Sequence, residues 1–93
     1  MKKIYKYTLK PTDFQILELP KKSNIISVIE QNNQIVLYAI INDNMSETEL
    51  YDIMIKGTGH DLPENFDLYT FLNSVNLIDG SLIFHVFYKN VTE

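Results

Sequence analysis

The stretch Asp79-Gly80-Ser81-Leu82-Ile83-Phe84-His85-Val86-Phe87-Tyr88-Lys89 decides the fold. Asp-Gly between apolar runs is a strong hairpin signal, because both residues tolerate positive φ. The run that follows has period two. Leu82, Phe84, Val86 and Tyr88 fall on one face, and Ile83, His85 and Phe87 on the other. β-Branched and aromatic residues in that pattern specify a strand rather than a helix.

The same period recurs toward the N-terminus. Tyr5, Tyr7 and Leu9 alternate with Lys6, Thr8 and Lys10, and Pro11-Thr12-Asp13 breaks the run. Phe14–Leu19 is a second strand, closed by Pro20 and the turn Lys21-Lys22-Ser23. Asn24–Gln31 is a third, and Asn32-Asn33 fits a two-residue hairpin into a fourth, Gln34–Ile41. The fourth is apolar on both sides from Ile35 onward, which places it at the centre of a sheet. After the polar loop of residues 42–48, Glu49–Lys56 is a fifth strand with Tyr51, Ile53 and Ile55 on one face. Gly57–Phe66 has no period, and strand character resumes over Asp67–Ile78 after room for a short turn.

About seven strands, with turn residues between them and no helical stripe, indicate one all-β domain over residues 1–93, an antiparallel β-sandwich or barrel. A chain of 93 residues buries only roughly 60–65% of its unfolded surface, so the core is small and a homo-oligomer is expected.

Composition narrows the function. There is no cysteine, which excludes disulfides, thiolate metal sites and Cys nucleophiles. All eight basic residues are lysines. Duplex nucleic acid is not an expected partner, since base readout favours Arg and the formal charge is −4. No apolar run approaches the ~18–20 residues of a membrane span, and the Lys/Tyr start is no signal peptide, so the chain reads as cytoplasmic with no membrane partner. The charge is uneven. Residues 1–22 hold six lysines against Asp13 and Glu18, a balance of +4, while residues 23–93 hold Lys56 and Lys89 against ten acids, a balance of −8.

Three constellations could carry chemistry. Gly57-Thr58-Gly59-His60 has glycines that let a backbone approach a ligand and form an anion-binding nest, with Thr58 and His60 as added donors. It lacks the Lys and helix of a phosphate-binding P-loop, and it reads equally as a glycine turn with a surface His. His85 is either a packed core residue or the lining of a pocket with Ile83 and Phe87. His60 and His85 with Asp61 have the residue types of a zinc site but no signature spacing, so no metal and no cofactor is expected. Among the six tyrosines, Tyr38 stands out within the apolar fourth strand. The expected ligand-binding set is Thr58, Gly59, His60, Tyr38, His85, Lys6 and Tyr7.

These residues also carry a resemblance. A Lys/Tyr first strand is followed by Leu19-Pro20-Lys21 leading into Ile25–Gln31, then Leu37-Tyr38-Ala39, Gly57-Thr58-Gly59-His60 and Leu82-Ile83-Phe84-His85-Val86-Phe87. The order resembles a family of small, mostly phage-encoded all-β proteins of unassigned function, along nearly the whole chain. Tyr38 stands where that family often has Trp, and Leu72-Asn73-Ser74-Val75 lacks its glycine. The resemblance implies a phage origin, and small phage accessory proteins often disarm host defences. It therefore implies a non-enzymatic anti-defence protein that sequesters a small nucleotide ligand of the cyclic dinucleotide type. The alternatives are a direct inhibitor of a host defence enzyme and a phage structural module.

Overall fold

Alternation along the chain becomes seven strands in the computed structural model, which describes residues 1–92. They are β1 (Lys2–Leu9), β2 (Phe14–Pro20), β3 (Asn24–Gln31), β4 (Gln34–Asn42), β5 (Thr48–Gly57), β6 (Thr70–Leu77) and β7 (Leu82–Asn90). Two antiparallel sheets form, one in the order β1-β4-β3 and the other β2-β5-β7-β6. The fold is an all-β sandwich. β4 is central in its sheet, as its two apolar sides require.

Every strand sends alternate residues into one core. Leu37, Ile53, Val28, Leu19 and Val86 are fully buried in it, and Tyr7, Phe84 and Tyr88 pack at its margin. On β7 the inward set is therefore Phe84, Val86 and Tyr88, and His85 points out. β3 lies alongside β6 and closes one seam of the sandwich without a hydrogen-bonded ladder.

The turns follow the residues that set them. Asn32 and Asn33 take positive φ of 53° and 61°, the signature of a type I′ hairpin. The β6–β7 hairpin is longer than Asp-Gly alone requires: Leu77 pairs with Leu82, so Ser81 lies in a four-residue turn rather than in the strand. Ile78, Asp79 and Gly80 all have positive φ. Ser81 stabilises the turn by donating its N–H and its hydroxyl to the Ile78 carbonyl.

One connection positions the candidate site. β5 and β6 both run antiparallel to β7, so they are parallel to each other with β7 between them. The chain must travel back along the sheet from Gly57 to Thr70. It does so over the outer face of the four-stranded sheet, with a 3-10 turn at Phe66–Leu68 that runs from the aperiodic stretch into the first residues read as strand. Tyr69 ends this crossover and donates its hydroxyl to Asp52 on β5 at 2.6 Å.

Candidate functional site

The crossover begins with Gly57-Thr58-Gly59-His60, and its first turn is built locally. The His60 N–H donates to the Gly57 carbonyl at 3.2 Å, and the Gly57 N–H donates back to His60 Nδ1 at 3.3 Å. The imidazole lies across the Gly57 α-carbon. A Cβ at Gly57 would meet His60 Cε1 at 2.9 Å and Nδ1 at 3.2 Å. Gly59 has φ of 89°, which only glycine adopts without strain. The two glycines thus serve different ends: Gly57 makes room for a ring, and Gly59 makes the turn.

That turn brings Thr58 onto β7. Thr58 Oγ1 lies 2.8 Å from His85 Nε2, and Ser74 Oγ on β6 lies 2.7 Å from His85 Nδ1. Both ring nitrogens are therefore occupied by hydroxyls. A neutral imidazole has one donor and one acceptor, so one hydroxyl donates and the other accepts. A hydroxyl against a His nitrogen is the pairing used in nucleophilic catalysis. The third group here is Ser74, which orients the ring but brings no charge to stabilise an imidazolium.

Two open clefts flank the turn. One of about 250 Å³ is bounded by Lys56, Thr58, Gly59, His60, Leu62, His85 and Phe87. The other, about 410 Å³, lies on the far side, between Thr58, His60 and Ser81–Phe84. Lys56 borders the first, but its ammonium is directed toward β2, in an ion pair with Asp13 at 3.5 Å and 5.2 Å from the Phe14 ring centroid.

The floor of the first cleft continues as an apolar row across all four strands. Phe14 is opposite Met54, Met54 opposite Phe87, and Phe87 opposite Phe71. The Phe71 and Phe87 rings meet edge to face at 5.3 Å. Met54 is fully buried although it faces away from the core, whereas Phe14 and Phe71 remain about half exposed. Beyond the row, burial and then the bond to Asp52 push the Tyr69 hydroxyl up to about 12, and the Lys89 ammonium sits 4.8 Å from the Tyr69 ring.

Of the residues singled out in the sequence, Thr58, Gly59, His60 and His85 come together here. Phe87 lines the same cleft as His85, while Ile83 borders the second. Tyr38 and Lys6 are elsewhere. They are direct cross-strand partners on the outer face of the three-stranded sheet, where Tyr38 donates to Gln31 Oε1 at 2.8 Å. Tyr7 points inward against the core, and burial, with a smaller contribution from Tyr5, raises its hydroxyl pKa. Within one copy the set therefore splits between two sheets. Ser74, Lys56, Leu62 and the Phe14–Met54–Phe87–Phe71 row were not anticipated. Met54 was the available signal, an apolar residue at a position that alternation assigns to solvent.

Among the described residues, no three His, Asp or Glu side chains cluster closely enough to hold a metal ion. No helix is long and apolar enough to cross a membrane. No curated protein and no solved structure matches the chain. A family model does match, over residues 1–93, and the chain belongs to that family, described as a domain of unknown function (DUF7352).

Proposed function

We propose that the protein is a non-catalytic binding module that holds an anionic, flat-ringed ligand of the nucleotide class at the cleft beside Thr58, His60 and His85. One observation carries this reading. A glycine turn and a His on a strand 27 residues away meet through a 2.8 Å hydrogen bond beside an aromatic side chain and a lysine. Thr58, His60 and the N–H groups around Gly59 offer donors for phosphate oxygens. Lys56 borders the cleft with its charge already paired to Asp13, and Phe87 offers a surface for base stacking, worth ~1–3 kcal/mol per base.

The cleft is shallow and, at about 250 Å³, below the ~300–1,000 Å³ typical of sites that enclose a small molecule. A second copy related by a two-fold axis would complete it. A cyclic dinucleotide has matching two-fold symmetry and would present one base and one phosphate to each copy. With the phage setting that the sequence resemblance implies, the role is sequestration of a nucleotide immune signal. Lys6, Tyr7 and Tyr38 lie outside this cleft within one copy.

Isothermal calorimetry with a panel of cyclic dinucleotides tests the reading. The expected result is one ligand per two copies, with Phe87→Ala weakening binding by about 5- to 150-fold, the range that ~1–3 kcal/mol of stacking implies. Absence of heat with every member, while circular dichroism shows folded sheet, would overturn it.

A further inference from the structure

Three of the four sheet edges are guarded. β3 and β6 each carry a register shift, at Ile25/Ser27 and Phe71/Asn73, and lie against one another. β2 ends on Pro20, and at its other end the Thr12 hydroxyl donates to the Phe14 carbonyl at 3.2 Å. β1 has no such device. Its register runs unbroken from Lys2 opposite Asn42 to Leu9 opposite Ile35. It has no Pro and no bulge, and among the described residues no strand pairs with its outer edge. Such an edge presents a free row of N–H and C=O groups.

The chemistry of β1 is as uneven as its edge. It carries Lys2, Lys3 and Lys6 and no carboxylate. Lys3 pairs with Asp43 at 3.0 Å, and among the described residues Lys2 and Lys6 have no carboxylate partner. Lysines alone would read as a guard against pairing. They do not account for Ile4, 61% exposed on the outer face, or Tyr5, 46% exposed on the inner one. A strand that only repelled neighbours would not keep large apolar side chains on both faces.

We propose that β1 is a docking edge for an extended acidic segment of another protein, which adds to the sheet as a further strand. Residues of that segment on the outer face would place carboxylates beside Lys2 and Lys6. Residues on the inner face would be apolar and cover Tyr5 and Tyr7. Charge selects this occupant over a second copy, because β1 against β1 would line up two sets of Lys2, Lys3 and Lys6 along one ladder. The surface is separate from the His85 cleft, so neither reading depends on the other.

The probe is a fluorescein-labelled octapeptide alternating Glu and Val, compared with its Lys–Val counterpart and with a Glu–Val version N-methylated on alternate amides. Fluorescence anisotropy should show the acidic peptide binding at least ten-fold more tightly than the basic one. Binding should fall at least ten-fold in the Lys2→Glu/Lys6→Glu variant and on N-methylation. Both lysines are exposed, so the variant should melt with the wild type. Hydrogen exchange should slow at alternate amides of β1 when the acidic peptide is added. Equal binding of acidic and basic peptides, no binding of either, or full binding of the N-methylated peptide would overturn the proposal. So would protection of β1 that rises with protein concentration alone, which would identify a second copy as the occupant.

Discussion

Replacing each glycine of the Gly57-Thr58-Gly59-His60 turn by alanine should separate two effects that sequence alone cannot distinguish. At Gly57 the new methyl would sit 2.9 Å from His60 Cε1 and 3.3 Å from Nε2. Relaxed carbon contacts lie at about 3.5–4.0 Å, so the ring must retreat by roughly 0.6–1 Å. The ring is the far end of a rotatable side chain, and the bond it loses is long and exposed, worth about 0.5 kcal/mol. Alanine at a strand position recovers roughly 0.5–1 kcal/mol of backbone entropy relative to glycine. The terms nearly cancel, so Gly57→Ala should melt within a few degrees of the wild type with His60 displaced. At Gly59 nothing lies within 4 Å of the new methyl, but φ is 89°. Left-handed backbone costs a non-glycine residue about 1–2 kcal/mol. That lowers Tm by roughly 4–16 °C for a domain of this size. Thermal melts combined with imidazole NMR shifts of His60 read both quantities. A Gly57→Ala variant that loses more than about 2 kcal/mol, or that leaves the His60 resonances in place, would refute the ring-packing account. A Gly59→Ala variant that melts with the wild type would refute the strain account.

Other expectations follow from single observations. Ile78 is a β-branched residue at φ of 53° and is half exposed, so Ile78→Gly should raise stability by about 1 kcal/mol in urea melts. The Tyr69 hydroxyl is raised from 10 to about 12 by burial and its bond to Asp52, so it stabilises the fold below pH 10 and that contribution disappears as pH rises toward 12. Tyr69→Phe should therefore lose less Tm than the wild type between those two pH values. Asp43 is held below its ordinary 3.8, first by its bond to Lys3 and then by the N-terminal ammonium, so it stabilises above that pH and less as acid protonates it. Asp43→Asn should flatten the acid limb of the Tm profile. Leu37→Ala, at the centre of the core, should cost about 2–5 kcal/mol in the same urea melts.

Strand identity was legible because burial on one face imposes period two, which β1 and β2 follow closely, while β4 is apolar on both sides, β3 carries a bulge and β5 buries Met54 on its outer face. Pairing was not. β1 and β2 are neighbours in sequence yet enter different sheets, and no local pattern in Pro11-Thr12-Asp13 says so. The crossover misled for a related reason. Asp67, Leu68 and Tyr69 read as the start of a strand, but the chain there must span a sheet rather than join one, and it forms a 3-10 turn at Phe66–Leu68 before β6 begins at Thr70. At the site, the residue types of Thr58, His60 and His85 were visible, while their meeting depends on the Lys56–His85 register between β5 and β7. Ser74 was hidden because a hydroxyl carries no signal until its partner is known. Lys6 and Tyr38 looked like part of one set, and the register of β1 on β4 does bring them together, on the opposite side of the molecule.

The placement of β7 between β5 and β6 also sets when the protein can fold. β5 and β6 share no ladder, so β6 cannot join its sheet until residues 82–90 are available to bridge them. On a ribosome, β1, β3 and β4 can assemble early, with β2 and β5 paired beside them. β6 emerges with no hydrogen-bonding neighbour, and the cleft residues Thr58 and Ser74 wait for a His85 that has yet to be synthesised. The hydrogen bonds that join Thr58, His85 and Ser74 should therefore form in one late step, after translation has passed β7. A nascent chain halted before that step would expose Met54, which lies opposite Phe87 on β7, to chaperones.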